Sequence, residues 1–146
     1  MILSIQKGTT NPILRQKAAA VEQINAQIKE LVLNMIETLK ANNGVGLAAP
    51  QIGKSLQIII IQPDPSEPEL ILINPQIKKV SRKQDILEEG CLSLPNLDIP
   101  VRRPIKITVK ALNLNGQKIK IRAKDLLARV IQHEIDHLNG ILISDK

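Results

Sequence analysis

The sequence predicts an α+β domain whose strands pair mainly antiparallel, and three observations carry that prediction. Apolar residues recur at helical spacing early in the chain and again near its end; short apolar or alternating runs lie between; and the last two runs flank Asn115-Gly116, a hairpin signature. Helices set apart from a series of hairpin-joined strands define this class. At 146 residues the chain reads as a single domain, 1–146, long enough to bury a core.

Met1 to Ala20 mixes short apolar pieces with Asn11-Pro12 and reads as an extended arm entering a helical turn. Ile24, Ile28, Leu31, Val32, Met35, Ile36 and Leu39 then recur three and four apart, which predicts a helix capped by Asn25 and stopped by Asn43-Gly44. Residues 44–53 are small and aperiodic, suited to backbone passing close to a neighbour. Leu56 to Ile61 reads as a strand, Gln62 to Pro68 as an exposed proline-rich loop, and Leu70 to Ile73 as a second strand. Short extended segments are expected at Ile77 to Val80, Leu87 to Glu89 and Ile99 to Val101. Ile105, Ile107 and Val109 alternate with polar residues before the apolar parity shifts to Leu112 and Leu114, which predicts a bulge between Val109 and Leu112 within a hairpin that returns through Ile119 and Ile121. Asp125 to Asn139 reads as a terminal helix, with Asp125 its cap and Gly140 just past its end.

Composition narrows the function. Phe, Tyr and Trp are all absent while hydrophobic residues make up 43%, so the core is aliphatic, and the loss of every aromatic points to deliberate replacement by Ile and Leu. Recognition of bases by stacking is excluded for the same reason. The net charge of +6 favours anionic neighbours such as a ribosome surface, although solubility is the simpler reading. Ser4, Gln6 and Lys7 interrupt the short apolar start, so no secretory signal is expected, and runs such as Ile58 to Ile61 are far too short to span a membrane. A single cysteine, Cys91, cannot form an internal disulfide. A soluble, cytoplasmic protein is expected.

The chemistry concentrates in the last helix, where Gln132-His133-Glu134-Ile135-Asp136-His137 contains HExxH. Histidines four apart share one helical face, so both imidazoles can bind one cation while Glu134 reaches water on it. A bare match also arises by chance on a solvated helix. Here Leu126, Leu127, Val130, Ile131, Ile135 and Leu138 surround the helix with apolar side chains, which predicts burial, and buried imidazoles need partners. These are the only two histidines in the chain.

Catalytic sites of this kind offer three protein ligands plus water. A histidine six residues after the second, as in HExxHxxGxxH, is ruled out because Ile143 stands there; a downstream glutamate is ruled out because no Glu follows His137. The third ligand must come from upstream, and Cys91, within Glu89-Gly90-Cys91-Leu92-Ser93-Leu94-Pro95, is the one soft donor. A small buried hydrophobe is the commoner fate of a free cysteine, but the elimination favours ligation. A thiolate and two neutral imidazoles leave a divalent cation one net positive charge, enough to acidify its water. With Glu134 taking that proton and passing it to a leaving amine, the reaction class is amide hydrolysis.

Three stretches together, GVGLAAPQIG at 44–53, EGCLSLP at 89–95 and QHEIDHLNG at 132–140, resemble peptide deformylase. With the early helix and INP at 73–75, the resemblance covers nearly the whole chain. It implies antiparallel sheets packed around the HExxH helix and removal of the formyl group from N-formylmethionine on new polypeptides. It makes Cys91, His133 and His137 the metal ligands and Glu134 the general acid and base, in agreement with the elimination. It makes the Gln51 side-chain amide and the Leu92 backbone N–H the donors that stabilise the oxyanion formed at the formyl carbon. Gly46 then lets substrate backbone pair along the cleft, Val45, Leu92 and Leu126 wall the methionine side chain, and Glu89 with Arg103 forms a supporting ion pair. Ferrous iron is the expected cofactor, with zinc, nickel or cobalt as substitutes.

Two departures from the family stand out. Only nine residues follow His137, where many bacterial relatives continue into a further helix, so ribosome docking through such a helix is not expected. The missing aromatics imply looser packing where Ile and Leu stand in. A metallopeptidase of broader specificity, supported by HExxH alone, and a folded but inactive or ribosome-binding protein with a structural metal remain open readings. Because no Trp or Tyr is present, the purified protein is expected to show almost no absorbance near 280 nm, which a spectrum normalised by amino-acid analysis checks.

Overall fold

The computed structural model describes residues 1–146. Asn11 accepts a hydrogen bond from the Ile13 N–H and opens a one-turn helix, α1 (Pro12–Arg15). Asn25 does the same for Ile28 at the start of α2 (Ala26–Ala41), which ends where Asn43 takes a left-handed φ of 53°. The Asn25 cap stands where the sequence places it, and a helical turn follows Asn11-Pro12 as expected. The small-residue segment after Gly44 resolves into a short strand, β1 (Gly46–Ala48), and a 3₁₀ turn at Ala49–Ile52.

β2 is Ile58–Ile61, shorter at its start than expected; Leu56 instead makes an isolated parallel bridge with Ala19 of the arm. β3 (Leu70–Val80) runs unbroken through Asn74-Pro75, joining what reads as two segments in sequence. Asn74 makes this possible, because it adopts φ 53° and its side chain bonds both the N–H and the C=O of Val21, so the strand bends without losing partners. β4 (Gln84–Cys91) and β5 (Leu94–Pro104) form a separate two-stranded sheet, and β6 (Lys106–Leu112) and β7 (Lys118–Lys124) form the expected hairpin.

The expected bulge between Val109 and Leu112 is absent: β6 and β7 pair residue for residue from Lys106↔Lys124 to Leu112↔Lys118. Ala111 keeps the inward parity of Ile107 and Val109, while Leu112 and Leu114 pack on the sheet's opposite face. The irregularity lies instead between β3 and β6, at Ile73/Gln76 and Ile77/Lys79.

The larger sheet has the order β1-β2-β3-β6-β7, with every neighbour antiparallel. One face packs on the terminal helix α3 (Asp125–Leu138) through Ile59, Ile61, Leu72, Ile107 and Val109 against Val130, Ile131 and Ile135. The other is covered over β1, β2 and the start of β3 by α2, where Val32, Met35 and Leu39 meet Leu47, Ile58, Ile60 and Ile73. A third apolar group, Leu14, Leu94, Val101, Leu142 and Ile143, fixes the β4–β5 sheet against both chain ends. The α+β class and the antiparallel sheets around the HExxH helix are therefore as expected. No helix is long and apolar enough to cross a membrane.

Asp125 does not cap α3. No side chain caps this helix; Asp125 takes φ 54° and its N–H bonds the Ile105 carbonyl, so it serves as the sharp corner between β7 and α3. At the other end Gly140 (φ 74°) packs so closely that a Cβ would overlap the Arg15 carbonyl group. Gly116, at φ 76° in the hairpin loop, has only Ile24 Cδ1 near its Cβ position, at 3.9 Å. Gly116→Ala is expected to cost about 1 kcal/mol, the backbone conformation alone, and Gly140→Ala clearly more, since backbone must also move; urea unfolding of the two variants checks the order.

Candidate active site

Helix α3 supplies His133 and Glu134 to one end of a cavity of about 560 Å³ bounded by β1, the β4–β5 turn and α3, and carries His137 one turn beyond His133. Cys91 ends β4, and the register slip between Glu89 and Cys91 turns the thiol toward the helix. Its Sγ lies 3.3 Å from His137 Nε2, and ligand atoms of Cys91, His133 and His137 all fall within 4.8 Å of one another. A thiol and two imidazoles this close are a donor set suited to a borderline-soft divalent cation. Glu134 Oε1 and His137 Nδ1 are buried without a protein partner, unusual for polar atoms and consistent with a site built for a ligand.

The electrostatics follow from burial and neighbours. Burial, reinforced by His133, pushes His137 down to about 3, so this imidazole is neutral. Burial opposes charge on His133 too, yet Glu134, Cys91 and Glu89 carry it up to about 10; Glu89 Oε1 lies 3.0 Å from His133 Nδ1, leaving Nε2 as the ring atom for the cavity. Burial lifts Glu134 to about 7 against the pull of His133 and Arg103, a poise suited to moving protons near neutrality. For Glu89 burial alone would raise the value, but hydrogen bonds from His133, Arg103 and Arg129 overcome it and hold the carboxylate at about 2.

The other expected residues collect at the same cavity. Gln51 is buried in the 3₁₀ turn; its Oε1 accepts from the Ala48 N–H at 2.9 Å, which fixes the amide so that Nε2 faces Ser93 Oγ (3.1 Å) and Cys91 Sγ (3.7 Å). Val45, Gly46, Leu92 and Leu126 line the walls. Leu126 departs from the prediction of a helix buried all round: it is 53% exposed, because it stands at the cavity mouth. Gly46 has a further reason to be glycine, since a Cβ there would meet Glu134 Oε2 at 2.7 Å and Val130 Cγ1 at 2.8 Å.

Glu89 and Arg103 form a buried bidentate pair at 2.6 and 2.9 Å rather than two surface charges. Sequence reasoning did not find the rest of this network. Arg129 donates to Glu89 Oε2 (2.6 Å), to the Val101 carbonyl (2.8 Å) and to Asp85, and Arg103 also reaches Asp136 (2.9 Å). The missed signal was Arg129 itself, a cation within an apolar helix one turn before His133, which has to find an anion somewhere.

Residues 3–146 match the sequence model described as Polypeptide deformylase. The chain belongs to this family. It is 51% identical over its full length to a peptide deformylase of Dictyoglomus thermophilum, covering 93% of that protein. The fold matches the crystal structure of the Thermotoga maritima peptide deformylase with a TM-score of 0.95 at 36% identity, covering 100% of this chain and 97% of that one. A Met-Ala-Ser-bound class I type b peptide deformylase from Acinetobacter baumannii matches at 0.93 and 35% identity, covering 99% of this chain and 98% of that one. The protein is therefore a peptide deformylase, a hydrolase that removes the N-formyl group from newly made polypeptides, as the three motifs implied. The family is metal-dependent, and the Cys91, His133 and His137 group is one that can hold an ion.

Glu89→Ala leaves the guanidinium groups of Arg103 and Arg129 without their shared partner, and stability is expected to fall by about 3 kcal/mol. Glu89→Gln, which keeps shape and one acceptor, is expected to lose less; chemical denaturation of both variants measures the difference.

Proposed function

We propose that this deformylase works through one divalent cation held by Cys91, His133 and His137, with ferrous iron the working metal and zinc, nickel or cobalt able to take its place. The observation that carries this reading is the 3.3 Å approach of Cys91 Sγ to His137 Nε2, between residues 46 apart in sequence and beside a second imidazole. When bound, the cation supplies an acidified water and positive charge beside the scissile amide. A thiolate beside ferrous iron invites oxidation, which favours the substitutes in aerobically handled protein.

The chain's own residues do the rest. Glu134, buried and lifted to about 7, takes a proton from water at the site and returns it to the departing amine nitrogen of methionine, so its carboxylate ends the cycle as it began. Gln51, its amide oriented by Ala48, and the Leu92 backbone N–H donate to the formyl oxygen as negative charge develops there. β1 is an edge strand, so its free side accepts an extended peptide at Gly46 by strand addition. Val45 and Leu126, apolar and exposed at the mouth, cover the methionine side chain together with Leu92. The Met-Ala-Ser peptide bound by the Acinetobacter enzyme supports a peptide beginning with methionine as the occupant of this cavity. The catalytic unit is the single domain 1–146, and it acts in the cytoplasm, where formylated chains are made.

After anaerobic loading with ferrous iron or nickel, the protein is expected to release formate from formyl-Met-Ala-Ser and to leave acetyl-Met-Ala-Ser intact; cleavage inside the peptide would instead mark a general metallopeptidase. Glu134→Ala is expected to keep the metal and lose turnover by about a thousandfold, the middle of the range that a positioned acid–base group contributes. Cys91→Ala is expected to lose the metal itself. Metal content by mass spectrometry and formate release measured side by side check both, and equal metal retention by the two variants would remove Cys91 from the ligand set.

A further inference from the structure

Outside the catalytic cavity, the charge of this protein is distributed unevenly. The outer face of the larger sheet is covered by α2 only over β1, β2 and the start of β3; over β6, β7 and the far end of β3 it is bare. On that bare half, β6 presents Lys106 and Lys110, and β7 presents Lys118, Lys120, Arg122 and Lys124, all exposed. Exposed Lys78 and Lys79 extend the array onto β3. No Asp or Glu occurs between Leu70 and Gln84 or between Ile105 and Lys124, and none of these eight cations takes part in an ion pair. Of the chain's twenty cations the other twelve are outnumbered by its fourteen carboxylates, so the whole net charge of +6 is carried by this face.

The arrangement works against folding. Lys106 stands directly opposite Lys124, and Lys110 opposite Lys120, and like charges facing across an antiparallel pair destabilise it. Protection of an open sheet edge accounts for lysines on β7, the edge strand, but not for those on β6 and β3, which lie inside the sheet. Solubility would be served as well by cations spread among carboxylates.

We propose that this face docks the phosphate backbone of double-stranded RNA without reading its sequence. A broad field of lysines neutralises phosphates and releases their counterions. With no aromatic side chain the face cannot stack unpaired bases, which argues against single strands. The open half spans three strands, broader than the two-stranded ribbon that the major groove of B-form DNA admits, but it can lie across the wide, shallow minor groove of an A-form duplex, where Gln76 (beside Lys110) and Thr108 (beside Lys79) offer hydrogen-bonding groups amid the cations. The apolar side chains of β6 and β7 turn inward, apart from the half-buried Leu112, so the face lacks the apolar anchors that hold a protein in a lipid interface. Since α3 and the catalytic cavity lie on the sheet's other side, an enzyme docked in this way keeps its site open to a peptide.

The test uses the full chain loaded with nickel and a fluorescently labelled RNA duplex of about 20 base pairs, followed by anisotropy. Binding is expected to weaken on the order of a hundredfold between about 50 and about 200 mM salt, as for four neutralised phosphates. The variant Lys106→Gln/Lys110→Gln/Lys120→Gln/Arg122→Gln is expected to bind at least tenfold more weakly, to unfold at an equal or higher temperature because repulsion is relieved, and to deformylate formyl-Met-Ala-Ser unchanged. A control of equal net charge, Lys7→Gln/Lys17→Gln/Lys29→Gln/Lys54→Gln, is expected to keep most of the binding. Equal loss in both variants would show attraction by net charge alone and overturn the proposal. So would tighter binding to single-stranded RNA, to duplex DNA or to phosphatidylserine vesicles than to the RNA duplex.

Discussion

The carboxylate of Glu89 is the point on which the site depends, because three parts of the fold meet there. It lies on β4, is gripped by Arg103 from β5 and Arg129 from α3, and holds His133 by its Nδ1. A carboxylate this buried would be costly alone, and two guanidinium groups this buried would be costlier still. Together they satisfy one another and lock the small sheet against the HExxH helix at a fixed distance. Cys91, two residues further along the same strand, inherits that placement. The position of the thiol beside the imidazoles is therefore set by an ion-pair network that ties the small sheet to α3.

The second constraint is closeness. β1 passes α3 with no room for a side chain at Gly46, which leaves Glu134 against the strand backbone at the edge where a peptide is proposed to add. Gln51, one turn beyond, spends its oxygen on the Ala48 N–H and so presents its nitrogen to the cavity. Small residues in the 44–53 segment thus bring backbone, carboxylate and amide into one space that bulkier side chains would have kept apart. Ile and Leu fill both faces of the larger sheet in the absence of any aromatic, with Leu47, Ile58, Ile59, Ile60, Leu72 and Ile131 among the fully buried side chains.

Much of this was legible in the sequence because local signals and tertiary structure agree. Asn25 and the three-and-four spacing of α2, the Asn115-Gly116 hairpin and the HExxH helix each report on bonds made within a few residues, and each appears where expected. The failures arose where distant parts decide. Asn74 carries β3 through a proline by bonding to Val21, 53 residues away, which no local rule anticipates. The parity change at Leu112 marked a residue serving a second core on the other face, not a bulge. Asp125 was read as a cap because of its residue type, but the chain needs a corner there. At the site, elimination reached the thiol, whereas the roles of Arg129, Asp85 and Asp136 depend on partners that only folding brings near.

A bridge between Cys91 and His137 spans 46 residues of chain, from the small sheet to the last helix. Any ion shared across it closes a long loop that the denatured ensemble would otherwise explore, so it acts on the entropy of the unfolded chain much as a disulfide does. Unlike a disulfide, this crosslink is removable by a chelator and needs no oxidising compartment. An ion held there, as proposed, would act as a clasp on the whole molecule, and its loss would loosen the fold as well as end the chemistry.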